Sequence, residues 1–282
     1  MKADLSAPCC LAFHSAEGFA LKILKMAPEF QEGLSEIDEK TGFDMEKDVS
    51  SLVFAMPTPK DAGTQNETFT LAISGKFNTK KITAELEKEG SKPRKVGKLD
   101  VYKSDDGKVE ISFISEKLLI ITSGSEKYRN KTFGLAGGKG KSAKSSKSFT
   151  KLIKRVDTKK HLWMVADTSK TTQPETGPQL LDSAVTIDFA KGMSLVGDMT
   201  MGSEDDIKKA LAEFENQKGQ MGPMVAMIGA PSLMTNMKVE GKGKMLKMST
   251  NIPDAEVKAV AAFVTNAIKQ QEAANKSAAP TK

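Results

Sequence analysis

The sequence predicts an α+β protein made of two related halves in tandem, each an antiparallel sheet with helices on one face. Three observations lead to this prediction. Short apolar segments of strand length are joined by turns that are too short for a parallel crossover. Segments with apolar residues at helical spacing, opened by capping residues, lie between these strands. The same order of elements occurs twice within 282 residues, and in each half it resembles a split βαβ unit with one added strand.

The first half is assigned to residues 1–136. It opens with a short strand at 11–13 and a helix that Ser15 caps and Gly42 ends. The elements that follow are strands at 52–56 and 68–76, a helix at 78–90 capped by Asn78, strands at 96–103, 109–114 and 118–122, and a helix opened by Ser125. Because short turns join consecutive strands, we expect them to pair antiparallel.

The second half is assigned to residues 159–271 and repeats this order. Its clearest counterpart to the first half is a hairpin at 185–201 that runs into a helix opened by Ser203 and ending near Phe214. The other elements are a strand at 161–166, a hairpin at 237–248, and a helix after Pro253 with Val257, Val260, Ala261, Val264 and Ile268 on one face. We expect the tail at 272–282 to be disordered, because its residues are small and polar.

Positive charge is concentrated in the segment that joins the halves, residues 137–158. The net charge of the chain is +6, and residues 139–155 hold seven basic residues and no acidic one. A nucleic-acid-binding protein needs a broad basic face with stacking aromatics, whereas the lysine run at 137–142 contains no aromatic. A phosphate loop does not fit either, because the pattern GxxxxGK[ST] counted back from Gly140 needs glycine where Leu135 stands. We interpret the segment as a basic, solvated connector with a helix, and we expect no nucleic-acid partner.

No catalytic or metal-binding motif can be assembled from the sequence. His14 and His161 are the only histidines, and neither belongs to a Ser-His-Asp, Cys-His or HExxH pattern. Cys9 and Cys10 are neighbours in a predicted strand, so their side chains point to opposite faces and would not bind one metal ion together. We interpret them as small buried apolar residues, with a lipid-modified or redox-active cysteine as the alternative. The sequence therefore predicts no enzyme activity, no cofactor and no metal site.

Methionine is the most unevenly distributed residue, since ten of the fifteen lie between Met193 and Met248. Some of them, such as Met199 and Met201, alternate along a strand and fit ordinary core packing. Two other interpretations are a Cu(I) site made of thioethers and an adaptable apolar surface for a lipid or protein partner. The segment 221–234 contains no charged residue, and we predict that it forms a mobile apolar flap. The candidate ligand or partner residues, called the methionine surface, are Met221, Met224, Met227, Ile228, Met234 and Met237.

The segment TGFDMEKDVSS at 41–51 follows a proline-containing helix pattern and precedes a strand pattern. In this setting it resembles the signature "tG.d..kDi.s" of an uncharacterised family of exported bacterial tandem α+β proteins. The resemblance extends over residues 5–125 and, more weakly, over the second half, and it implies a cell-envelope location without implying an activity. No apolar run approaches the roughly 18 residues needed to span a bilayer. Residues 1–4 do not begin an apolar signal segment, so we expect either an exported protein whose leader has been removed or a cytoplasmic protein.

These observations favour a non-enzymatic envelope or secreted protein that binds a protein or lipid partner through the methionine surface. Two alternatives stay open. One is a copper-handling protein that uses the methionine cluster, and the other is a hydrolase whose site the motifs do not reveal. The sequence does not decide the oligomeric state, and it does not decide whether the halves form one continuous sheet or face each other.

Overall fold

The computed structural model describes residues 9–14, 42–57, 68–104, 107–139, 145–169 and 177–278, and their strands form one twelve-stranded sheet. The strands are β1 (Cys9–His14), β2 (Val49–Met56), β3 (Phe69–Gly75), β4 (Arg94–Val96), β5 (Leu99–Lys103), β6 (Val109–Ser115), β7 (Leu118–Ser123), β8 (Leu162–Asp167), β9 (Leu180–Asp188), β10 (Met193–Met201), β11 (Lys238–Lys242) and β12 (Met245–Ile252). The helices are α1 (Met45–Asp48), α2 (Thr79–Lys88), α3 (Glu126–Ala136), α4 (Lys147–Ile153), α5 (Glu204–Met227), α6 (Ser232–Thr235) and α7 (Asp254–Ala278).

The sheet is continuous across the two halves. Its strand order is β11-β12-β10-β9-β8-β1-β2-β3-β7-β6-β5-β4, so β1 joins the halves. In the register of β1, Leu11 lies opposite Phe54 of β2 on one side and opposite Met164 of β8 on the other. All of these pairings are antiparallel. The predicted α+β class with antiparallel strands is confirmed, and the halves lie edge to edge rather than face to face.

One hydrophobic core lies on the front face of the sheet, the face that carries Val53, Ala72 and Ile120. This core extends from β2, β3 and β7 of the first half to β8 and β9 of the second, where Val165 and Ala184 belong to it. Helices α3 and α4 cover it with Phe133, Ala136, Phe149 and Leu152. The two halves therefore share a core. The connector, predicted to be solvated, contains in α4 a helix that buries two of its side chains.

A second core lies on the back face, where Leu52 and Ile73 alternate with the residues of the front face. Phe77, just after β3, packs here with its ring 5.2 Å from that of Phe43. Helix α2 covers this core with Ile82. The sequence predicts helices on one face, whereas the structure places α2 and α5 on the back and α3 and α4 on the front. The reason is that strands such as β3 carry apolar side chains on both faces, and each face needs a cover.

The predicted helix starts at Asn78, Ser125 and Ser203 are confirmed as N-caps, and each side chain accepts a hydrogen bond from a backbone N–H of the first turn. Two predicted ends differ from the structure. Helix α5 runs to Met227, well past the end predicted near Phe214, because tertiary packing holds its last turns. Helix α7 continues to Ala278, into the tail predicted to be disordered, because residues 272–278 include three alanines together with Glu272 and Lys276, all of which are good helix formers.

Some predictions fall outside the described residues. These predictions concern the long helix after Ser15, residues 140–144 of the basic connector, and the last four residues, 279–282. The side chains of Cys9 and Cys10 are also outside what the structure describes, so their assignment stays a prediction.

Candidate apolar binding surface

The first half of α5 fixes the position of the methionine surface by packing on the back face of the sheet. Ser203 caps the helix, and its hydroxyl oxygen accepts a hydrogen bond of 3.1 Å from the Asp206 N–H. Further along, Ile207 packs so tightly on β11 that a Cβ added to Gly241 would lie 2.4 Å from its Cγ2. Leu211 contacts the same place, with its Cδ1 3.3 Å from that Cβ position. Only a glycine in β11 permits the helix to approach this closely.

The second half of α5 exposes two long apolar side chains. Met224 is 53% exposed and Met227 is 75% exposed, whereas Met221 is half-buried. Between them, Val225 is buried and fixes which side of the helix faces the protein. Pro223 lies inside this part of the helix and has no N–H to donate to the carbonyl of residue 219. The exposed thioethers are therefore on a helix whose orientation is set by the buried Val225.

Helix α5 ends in a Schellman motif at Gly229, whose φ of 84° is in the left-handed region. The Gly229 N–H donates to the Ala226 carbonyl at 3.0 Å, and the Ala230 N–H donates to the Val225 carbonyl at 2.9 Å. The turn lies directly on α7, since a Cβ at Gly229 would be 2.8 Å from the Cβ of Ala259. Ile228, the residue before this glycine, is half-buried.

The segment after α5 is tied down at several points. The carboxylate of Glu256 in α7 accepts two hydrogen bonds from Ser232, 2.9 Å from its N–H and 2.6 Å from its hydroxyl. The Asn236 amide donates to the Asn251 carbonyl of β12 at 2.8 Å. Met234 and Met237, on either side of this last bond, are half-buried. The segment predicted to be a mobile apolar flap consists of a helix end, a capped turn and the short helix α6, which hydrogen bonds join to α7 and β12.

Helix α7 adds exposed apolar side chains next to this contact. Phe263, 46% exposed, lies one helical turn beyond Ala259, and Val264 beside it is also exposed. Among the described residues, four of the six large exposed apolar side chains belong to the second half of α5 or to α7. These four side chains thus belong to the two helices that meet at the Gly229 turn. Phe263 is absent from the predicted set, although its spacing of three residues from Val260 places it at the edge of the predicted apolar stripe.

Polar groups cluster elsewhere in the molecule. His161 Nδ1 lies 2.6 Å from Asp188 Oδ1, and the Lys160 ammonium donates to Asp188 Oδ2 at 2.7 Å. The bond from Lys160 holds the pKa of Asp188 below its ordinary value. This cluster joins the start of β8 to the end of β9. Among the described residues, no group of three or more His, Cys, Asp and Glu side chains is arranged to hold a metal ion.

A deeper ionic group lies on the front face beneath α3. Glu110 is 2% exposed and accepts hydrogen bonds from Arg94 Nε at 2.9 Å and Arg94 Nη2 at 2.6 Å. Arg129 Nε of α3 lies 3.1 Å from the same carboxylate. Burial by itself would raise the pKa of Glu110, but the bonds and charge of Arg94, joined by the charge of Arg129, lower it below the ordinary value. The group attaches α3 and β4 to β6.

Comparison with solved structures identifies the overall fold. The structure of TP0453 in crystal form III superposes with a TM-score of 0.53 over 93% of this chain and 96% of that chain, at 12% sequence identity. TP0453 in crystal form I gives a TM-score of 0.50 over 94% of this chain and 98% of that chain, at 13% identity. The chain is similar in fold to TP0453. At this level of identity the likeness to TP0453 extends to the fold alone, and it covers both halves.

No family model matches the chain, and no curated protein matches it. In the part of the chain that the structure describes, no helix has the length and apolar character needed to cross a membrane.

Proposed function

We propose that this chain is a non-enzymatic binding protein that holds an apolar partner, a protein or a lipid, on the methionine surface. The observation that carries the proposal is the exposure of Met224 and Met227 on a helix end that is fixed by the Gly229 turn. Methionine side chains are flexible and polarizable, so they adapt to apolar partners of varied shape. The absence of charge from 221–234 leaves burial of apolar area as the source of affinity.

The size of that contribution follows from the exposed fractions. Fully burying one methionine side chain contributes about 1.5–3 kcal/mol. At 53% and 75% exposure, Met224 and Met227 together offer about 2–4 kcal/mol to a partner that covers them. This corresponds to a change in affinity of roughly 30- to 700-fold.

The test is the double variant Met224→Ser/Met227→Ser, compared with Met56→Ser/Val196→Ser, which changes two exposed apolar residues outside the surface. Native mass spectrometry of the gently purified full chain reports bound lipid as a mass excess. Photo-crosslinking from a diazirine methionine analogue placed at residue 221 reports a bound protein. We expect the lipid or the crosslinked protein to be lost from the first double variant and kept by the control. Equal retention by both variants, or a bare and uncrosslinked wild-type chain, would contradict the proposal.

We also propose that the protein is exported to the cell envelope or secreted. The support is the resemblance of the segment at 41–51 to the exported family. Fractionation of cells that express the full-length natural gene tests this, with periplasmic, membrane and secreted fractions probed separately. Recovery of the protein in the cytosolic fraction alone would refute export and leave the binding proposal standing.

A further inference from the structure

Helix α4 presents three lysines on one side. Lys147, Lys151 and Lys154 follow one another at intervals of four and three residues, which places them on the same face of a helix. The opposite face of α4 is fixed, because Phe149 and Leu152 are buried in the front core. The lysine face is therefore directed away from the sheet, and the packing of α4 keeps it so.

These lysines line an open pocket of about 420 Å³ on the surface. Its lining residues are Ser145, Lys147, Thr150, Lys151 and Lys154. Among the described residues, the lining thus consists of three ammonium-bearing and two hydroxyl-bearing side chains, without a carboxylate.

No neighbouring carboxylate compensates these charges within the described residues. The segment from Ser145 to Arg155 contains no acidic residue, and in the part of the chain that the structure describes no ion pair involves any of the three lysines. The next basic residue, Arg155, is committed to the sheet, where it donates to Asp182 of β9 at 2.6 Å and binds Asp198 of β10. Like charges four residues apart destabilise a helix, so an anion in the pocket would relieve repulsion as well as accept hydrogen bonds.

We propose that this pocket binds a phosphate-bearing ligand, as a free phosphate or diphosphate ester or as the headgroup of a phospholipid. Lysine ammonium groups bind phosphate as point charges, and three of them along one open pocket match a group that carries two or more negative charges. The front-face position of α4 separates this pocket from the methionine surface, so this proposal does not rest on the function proposed above.

The test uses pyrophosphate as the soluble probe and phosphatidylcholine vesicles with and without phosphatidic acid as the membrane probe. The variant Lys147→Gln/Lys151→Gln/Lys154→Gln is compared with Lys238→Gln/Lys242→Gln/Lys244→Gln, which removes three charges from exposed positions of β11 and the turn after it. We expect the α4 variant to lose at least about tenfold in affinity, because even one hydrogen bond to a charged group contributes that much. The control variant should change the affinity less than about twofold, since distant surface charges are screened by salt.

Chemical-shift mapping on the wild-type chain provides a readout that does not depend on a variant. Pyrophosphate should shift the amide resonances of Ser145 and Thr150 and leave those of β11 unchanged. If the wild-type chain binds pyrophosphate and the α4 variant does not, the ligand is a free phosphate ester. If the wild-type chain binds only the vesicles that contain phosphatidic acid, and the α4 variant does not bind them, the ligand is a phospholipid headgroup. Absence of binding to both probes, equal losses in the two variants, or shifts spread over all surface lysines would overturn the proposal.

Discussion

Removing the negative charge of Glu110 tests how the front face of the first half is held together. Glu110→Gln keeps the shape of the side chain but leaves Arg94 and Arg129 without their counterion. Breaking a buried ion pair by removing one partner costs about 3–5 kcal/mol, because the remaining charge stays buried and unpaired. Arg94 is 35% exposed and can turn towards water, whereas Arg129 is 12% exposed. We therefore expect a loss near the lower end, about 3 kcal/mol of unfolding free energy.

The matched control is Asp100→Asn in the adjacent strand β5. Asp100 pairs with Lys95 at 2.6 Å, but both side chains are exposed, so this change should cost less than about 1 kcal/mol. Urea unfolding followed by circular dichroism measures the unfolding free energy of both variants. A thermal unfolding scan should show that the melting temperature of the Glu110→Gln variant is about 6–12 °C below that of the wild type, given the size of the chain.

The same group gives a pH dependence whose sign follows from the direction of the pKa shift. The pKa of Glu110 is lowered in the folded protein, so its stabilising contribution is present above the ordinary value of 4.5 and is lost as the pH falls through the folded value. The difference in unfolding free energy between wild type and Glu110→Gln should therefore shrink below pH 4.5. A Glu110→Gln variant that is no less stable than Asp100→Asn at neutral pH, or a difference that does not shrink in acid, would refute this reasoning.

Two further predictions concern the elements that hold the methionine surface. Gly241→Ala should cost about 1–3 kcal/mol, because its Cβ would lie 2.4 Å from Ile207 Cγ2 and would push α5 away from β11. The control is Gly134→Ala in α3, where no heavy atom lies within 4 Å of the added Cβ, and this change should instead stabilise the protein by about 0.4–1 kcal/mol. Urea unfolding measures the unfolding free energy of both variants, and similar changes in the two would contradict the packing argument. Glu256→Ala should speed hydrogen exchange at the Ser232 amide by roughly 10- to 100-fold, because the variant removes a charged acceptor 2.9 Å from that nitrogen. An unchanged exchange rate at this amide would show that other contacts hold α6.

Much of the local structure of this protein can be predicted from its sequence. Asn78, Ser125 and Ser203 predict where helices begin, because a capping hydroxyl or amide acts on the backbone N–H groups of its own first turn. Strand segments such as 118–122 are predicted because their apolar residues and flanking turns are contiguous in the chain.

The features that the sequence does not predict depend on distant contacts. Gly219, Gly222 and Pro223 lower the helix propensity after Phe214, yet α5 continues because Val225 is buried and the turn at Gly229 contacts α7. A propensity argument cannot include a contact with a residue thirty positions further along. The sequence likewise predicts only that the lysines of α4 are solvated. Which side of that helix is buried depends on the core that includes residues of β8 and β9.

The position of the two proposed surfaces follows from the sheet itself. Val165 of β8 and Ala184 of β9 lie opposite each other on the front face, and Ala184 is opposite Asp198 of β10. Since neighbours in a strand point to opposite faces, Met199 lies on the back, where it packs in the core under α5. The Lys147–Lys154 face and the methionine surface are thus on opposite sides of one continuous sheet. A ligand on one side does not occlude the other, and each proposal can fail without affecting the other.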